Sequence, residues 1–178
     1  MIEKNVANFL KTSKNLLAFS GGVDSTALFF ILKNLEIEFD IAIVDYALRE
    51  EAYKEIEYAK SLAKEHNKKI FIKRAPKFSS NFEANAREFR YSFFKEIIKE
   101  HNYNSLITAH QLNDKIEWFL MRFSKGAGVS ELSGMSKIER EDEFFLVRPL
   151  LDISKDELLE FLEKNRIKYF IDKSNFDK

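Results

Sequence analysis

Cysteine is absent from the 178 residues. Disulfide frameworks, thiolate-bound zinc, iron–sulfur clusters held by cysteine and cysteine nucleophiles are therefore excluded. Long apolar runs are missing too: a stretch such as Ala27–Leu32 is far shorter than the ~20 residues that cross a bilayer. Met1-Ile2-Glu3-Lys4 leads into no apolar signal region, so the sequence predicts a cytoplasmic protein without membrane association. Neither charge sign is in excess, with 29 Lys+Arg against 29 Asp+Glu. Residues 1–90 carry 15 basic and 13 acidic side chains, leaving 14 and 16 for the remainder. Nucleic-acid domains usually carry a basic excess, so any RNA contact has to rest on a local patch. Glycine is sparse. Three of the five glycines fall in Gly126–Gly134, which reads as a loop.

What is present suits a globular domain. Apolar residues make up 45% and charged residues 33%, a balance that excludes disordered and fibrous chains. Eighteen phenylalanines supply ample core surface. The length fits one domain of roughly 100–200 residues. Strand-like runs alternate with helical patterns. Strands are expected at Asn15–Ser20, Phe39–Asp45, Lys69–Arg74, Ser105–Ala109 and Phe144–Val147, the last stopped by Pro149. Helices are expected at Asp24–Asn34, Arg49–His66, Phe82–His101 and Gln111–Ser124. A final helix opens with the capping box Ser154-Lys155-Asp156-Glu157. This alternation predicts an α/β fold: a doubly wound, mostly parallel five-stranded sheet with helices on both faces. Ligands of such sheets sit beyond the carboxyl ends of the strands, where strand order reverses.

The residues after the first strand are Ser20-Gly21-Gly22-Val23-Asp24-Ser25-Thr26. Paired glycines allow a tight turn and a close backbone approach to a ligand. The following helix presents free N–H groups and its positive end, which favours an anion. Asp24 or Ser25 can cap that helix. A Walker loop is excluded because the required lysine is missing, and Gly-x-Gly-x-x-Gly does not fit.

Ser20–Ser25 resembles the SGGxDS motif of the N-type ATP pyrophosphatases, the PP-loop superfamily. The resemblance implies that Ser20, Gly21, Gly22, Val23, Asp24 and Ser25 bind ATP, the loop holding its β,γ-pyrophosphate while the α-phosphorus is attacked. An ionised Asp24 beside a triphosphate would need Mg²⁺ between them.

Further segments resemble the tRNA(Ile)-lysidine synthetases. Val44-Asp45-Tyr46-Ala47-Leu48-Arg49 is similar to their VDHxLR motif, with Tyr46 in place of His. Glu83–Tyr91 is similar to ExxAR(x)xRY. On a helix, Glu83, Arg87, Arg90 and Tyr91 lie along one side. A Glu83–Arg87 ion pair is the structural option, while Arg87 facing phosphate is the functional one. His110, Asp114 and Glu117 are spaced i, i+4, i+7 and are expected on one face; relatives carry HxxDDxxET here, and this chain has Asn113 and Trp118 as departures. Lys125–Met135 looks like the RGxGxxGLxGM loop, with Glu131 where glycine is usual. Arg148-Pro149-Leu150-Leu151 and Ile171–Asp177 resemble RPLL and DxSNxD.

The resemblance implies a ligase that adenylates the wobble cytidine of the CAU-anticodon isoleucine tRNA with ATP and joins free L-lysine to it, giving lysidine. Asp24, Arg87, His110 and Asp114 are the implied catalytic positions, Asp114 and Glu117 the lysine-binding ones, and Asp24 the Mg²⁺ position. His110, with an ordinary pKa near ~6.5, is the candidate base for the lysine ammonium. The expected organisation is an N-terminal ATP pyrophosphatase catalytic domain over 1–178, lacking the family's C-terminal tRNA-binding domains. The rival readings are a tRNA thiolase, which the missing cysteines disfavour, and an ATP-binding module inactive without its missing portion. Lys60–Lys77, with seven basic residues against Glu65, is the candidate RNA patch.

Overall fold

The computed structural model describes residues 2–46, 50–126 and 134–170. In its first strand, β1 (Asn15–Ala18), the adjacent leucines Leu16 and Leu17 serve two different cores. Successive strand side chains point to opposite faces, and here both faces are covered. Around it the chain runs α1 (Lys4–Lys11), β1, α2 (Val23–Asn34), β2 (Phe39–Asp45), α3 (Glu50–Glu65), β3 (Ile70–Arg74), α4 (Phe82–His101), β4 (Ser105–Ile107), α5 (Leu112–Ser124), β5 (Ile138–Arg140), β6 (Phe145–Val147) and α6 (Lys155–Lys164).

Strand order is β3-β2-β1-β4-β6-β5. All pairings are parallel except β5 on β6. The sheet has six strands where five are expected. The extra strand is the edge strand β5, and its sequence, Ile138-Glu139-Arg140, holds one apolar residue between charges. Three such residues carry no readable period, and a short charged edge also blunts pairing with other chains. Helix α1 is likewise unforeseen; Val6, Ala7 and Leu10 bury its apolar side.

One core joins Leu17, Ile41, Ile43, Ile107 and Val147 of the sheet to α1, α2, α3 and α6. The other joins Leu16, Ala42, Leu106 and Leu146 to Phe93, Phe94, Ile97 and Ile98 of α4. Helix α5 belongs to neither, and its Ile116, Phe119, Leu120, Met121 and Phe123 are exposed.

Strand order reverses between β1 and β4, which pair Asn15↔Ser105 through Leu17↔Ile107. The turns leaving these two strands therefore emerge side by side at one edge, the place where such sheets take ligands.

Candidate active site

Leaving β1, the chain turns through Ser20–Gly22 into α2. Gly21 has φ +81°, and a Cβ there would lie 3.3 Å from Cβ of Glu55. The positive φ favours glycine, and the contact with Glu55 adds crowding for any side chain. Gly22 is the N-cap of α2 and, among the described residues, no side chain caps the helix, so neither Asp24 nor Ser25 takes the capping role. Ser25 braces the loop instead. Its Oγ accepts from Ser20 N–H at 3.2 Å, lies 3.0 Å from Ser20 Oγ, and donates to the Gly22 carbonyl at 3.3 Å. Thr26 Oγ1 donates to the Gly21 carbonyl at 3.2 Å. Phe170, far along the chain, also donates its N–H to that carbonyl, at 3.1 Å. Among the described residues the first-turn amides of α2 thus have neither intrahelical acceptors nor a side-chain cap, an arrangement suited to an anion.

A cavity of about 660 Å³ lies over this loop. Ser20, Gly22, Val23, Asp24 and Ser25 line it from one side, Thr108, Ala109 and His110 from the next turn, Arg90 and Tyr91 from α4, and Lys155 from α6. Burial raises the Asp24 carboxyl above its ordinary value; Lys155 opposes the shift and Asp114 adds to it. Asp24 Oδ1 is buried without a hydrogen-bond partner. A buried carboxylate oxygen beside an anion-binding loop fits one ligand of a Mg²⁺ ion, which is held by one or two carboxylates plus phosphate oxygens. Among the described residues no cluster of three or more acidic, His or Cys side chains forms a metal cage.

His110 follows β4. Its Nδ1 and Thr108 Oγ1 are 2.8 Å apart, which fixes the ring and directs Nε2 away from that bond. Burial lowers its pKa, Asp114 opposes, and Arg148, Arg87 and Arg90 lower it further. Its surroundings therefore favour the neutral ring. His110 precedes the N-cap residue Gln111 and does not share a helical face with Asp114 and Glu117. The cause is a reciprocal cap: Gln111 Oε1 accepts from Asn113 N–H at 2.7 Å, and Asp114 Oδ2 accepts from Gln111 N–H at 2.8 Å. Asp114 remains close enough to affect both Asp24 and His110. Glu117 is exposed one turn on and lines no part of the cavity.

On α4, the Arg87 guanidinium stands 5.4 Å from the Tyr91 ring centroid. Arg87 borders an adjoining groove, while Arg90 borders the phosphate-loop cavity. Tyr46, in the family's His position, donates to the Ala86 carbonyl at 3.1 Å and ties the end of β2 to α4. Asp45 ends β2, its carbonyl accepting from Ala75 N–H at 2.8 Å. Residues 127–133 of the glycine loop and Ile171–Asp177 lie outside the described residues.

The basic segment from Lys60 to Lys77 is less cationic in space than along the chain. Lys60 pairs with Glu57 and Lys68 with Glu38, both at 2.8 Å, and Lys73 pairs with Glu96. These acids lie outside the segment, so composition within it overstated the charge.

Lys155 and Phe170 escaped the sequence reading as site residues. Lys155 stood only inside a capping box, and nothing local shows that α6 packs against α2.

A profile of the PP-loop domain family matches residues 1–178. The tRNA(Ile)-lysidine synthase of Campylobacter jejuni strain RM1221 is 51% identical over 174 residues, covering 98% of this chain and 54% of that protein. The enzyme of the same name from Helicobacter pylori strain 26695 is 51% identical over 166 residues, covering 93% and 49%. The chain thus spans about half the length of these relatives. Among solved structures, the U34-tRNA thiolase NcsA from Methanococcus maripaludis superposes with TM-score 0.76 at 19% identity, over 95% of this chain and 61% of that one; at that identity the likeness concerns the fold. With the family profile running over all 178 residues, and an uncapped glycine turn at the point where strand order reverses, this chain belongs to the ATP-binding PP-loop domain family.

Proposed function

We propose that this chain is the ATP pyrophosphatase domain of a tRNA(Ile)-lysidine synthase. The observation that carries the reading is the convergence of the uncapped loop, Asp24, Lys155 and His110 on one cavity. About 51% identity to curated synthases over nearly the whole chain supports it. The thiolase reading is not favoured, since the chain has no cysteine.

In this reading the α2 amides, Ser20 and Ser25 bind the β,γ-phosphates of ATP, and Lys155 adds a cation to the same wall. Asp24 would hold Mg²⁺ against those phosphates. The ion, when bound, neutralises charge developing on the departing pyrophosphate. Arg87 and Arg90 flank the approach of the RNA, as bidentate donors suited to phosphate. The C2 oxygen of the wobble cytidine attacks the α-phosphorus and pyrophosphate leaves. The ε-amine of lysine then attacks C2 and AMP departs. Asp114, with Glu117 one turn on, is the proposed seat of the lysine ammonium. That ammonium must lose a proton before attack, since the charged form (pKa ~10.4) has no lone pair. Neutral His110 is the proposed acceptor.

The test is incubation of the full natural chain with Mg-ATP, labelled L-lysine and a CAU-anticodon isoleucine tRNA. Lysine incorporation that requires ATP and is lost in Asp24→Ala supports the reading; sulfur incorporation, or pyrophosphate release without RNA, would overturn it.

A further inference from the structure

The groove beside the phosphate-loop cavity has no role in the account above. It measures about 590 Å³ and is bounded by Arg87, Tyr91, Glu139, Glu141, Phe144 and Arg148 among others. Tyr91 is a wall of both spaces. The two also share an electrostatic environment, because Arg148 and Arg87 in the groove act on His110 in the cavity. Arg148 is 9% exposed. Its Nη1 donates to Glu139 Oε2 at 2.6 Å and to the Ser136 carbonyl at 3.0 Å, while its buried Nε has no acceptor among the described residues. The antiparallel pairing of β5 with β6 brings this pair together, through Ile138↔Val147 and Glu139↔Leu146.

We propose that this groove seats the target pyrimidine nucleotide, and that the Glu139–Arg148 pair selects cytosine over uracil. The inference rests on the lysidine reading and adds the origin of its base specificity. The base must lie where its C2 oxygen reaches the α-phosphate of ATP, so its seat has to open onto the phosphate-loop cavity. This groove adjoins that cavity at Tyr91, a wall of both. Its volume falls within the roughly 300–1,000 Å³ of small-ligand sites. Tyr91 offers an aromatic surface on which an unstacked base can lie, as single-stranded RNA recognition commonly uses.

The edge chemistry decides which base. Cytosine carries an amino donor at N4 beside an acceptor at N3, whereas uracil carries an acceptor at O4 beside an N3–H donor. A carboxylate fixed next to a guanidinium presents an acceptor beside a donor. That pattern complements cytosine at both positions and opposes uracil at both. Arg148 engages one oxygen of Glu139 and leaves the other to accept from the amine. The Ser136 carbonyl and the ion pair hold the guanidinium in place before any ligand arrives.

The experiment compares anticodon stem–loop RNAs bearing cytosine, uracil or 2-pyrimidinone (cytosine without its amine) at the wobble position. Pyrophosphate release by the full natural chain gives kcat/KM for each, for wild type and Glu139→Gln. Wild type is expected to lose about 10- to 100-fold from cytosine to 2-pyrimidinone, the range of one base-edge contact. Glu139→Gln, whose amide both donates and accepts, is expected to lose a similar factor on cytosine, to ignore removal of the amine, and to narrow the cytosine-to-uracil ratio at least tenfold. Its Mg-ATP affinity should stay within twofold of wild type.

A wild type equally active on cytosine and 2-pyrimidinone overturns the assignment, even where the variant fails to fold. So does a folded Glu139→Gln that keeps the wild-type preference, or one whose defect is confined to the KM for lysine, which would make the groove an amino-acid site. If wild type releases no pyrophosphate with the cytosine RNA, the lysidine reading itself fails and the groove assignment falls with it.

Discussion

Two strand-to-helix turns leave adjacent parallel strands at the edge where strand order reverses, and they treat their amides in opposite ways. After β1, glycine is the cap residue and, among the described residues, no side chain closes the end of α2. After β4, Gln111 and Asp114 cap α5 reciprocally. An N-terminus without side-chain partners keeps its donors and its positive end for a ligand, whereas a capped one has already spent them on its own chain. So the first turn offers the site open backbone amides together with the Asp24 carboxyl, while the second offers side chains alone, His110 above all. Position in the fold marks both turns as candidate ligand sites, and capping decides which of them can grip an anion.

The contrast breaks most sharply at Asp24. Asp24→Asn is expected to cut ATP-dependent pyrophosphate release by about 10²–10³-fold, the scale of losing one preorganised electrostatic group. Stability should move the other way. Burial raises this carboxyl, so the folded state prefers its neutral form; that contribution is fully present below the ordinary value of 3.8 and is lost as pH rises through the raised value. At pH 7 the ligand-free Asn variant should therefore melt higher than wild type, and a melting point that stays put or falls would refute the assignment.

At Gly21 the expected loss is structural. Gly21→Ala meets both the left-handed backbone and the Glu55 contact, costing about 1–2 kcal/mol. Gly22→Ala, whose Cβ would find only Ser20 Oγ at 3.6 Å, should cost less than half of that in urea unfolding. On the capped side, Gln111→Ala is expected to cost about 1 kcal/mol of stability while Mg-ATP affinity stays within twofold. A collapse of nucleotide binding in that variant would erase the distinction between the turns.

The smallest effect belongs to His110. Its lowered pKa means that its contribution to stability is present above the ordinary value of 6.5 and is lost as pH falls through the lowered one. His110→Gln should flatten the melting temperature below pH 6.5, and an unchanged slope would show that the ring is not held neutral.

Much of this was readable from the chain. Strand Phe39–Asp45 and helix Phe82–His101 fall where the patterns place them, because a strand covered on both faces is nearly all apolar and a 20-residue helix leaves ample periodicity. The glycine turn was readable too, since few other sequences satisfy that geometry. Capping was readable at Ser154, whose box with Glu157 forms as the sequence predicts, but not at the glycine turn, where Ser25 has the chemistry of a cap and instead bonds back to Ser20. Lys155, Arg148 with Glu139, and the partners of Lys68 and Lys73 depend on contacts between residues remote along the chain, to which local pattern is blind. Arg87 and Arg90 illustrate the same limit: three positions on one helix separate two neighbouring spaces, and only the packing of α4 tells them apart.

The bond from Phe170 N–H to the Gly21 carbonyl carries a consequence for biosynthesis. Gly22 forms a parallel bridge with the same residue, and Tyr58 holds the incoming strand through Lys168. A nascent chain emerges with its glycine turn first and this buttress nearly 150 residues later. Until the ribosome has released Phe170, the glycine turn lacks one of its supports. Domains fold largely as units during translation, so the proposed ATP capture should await the synthesis of Phe170.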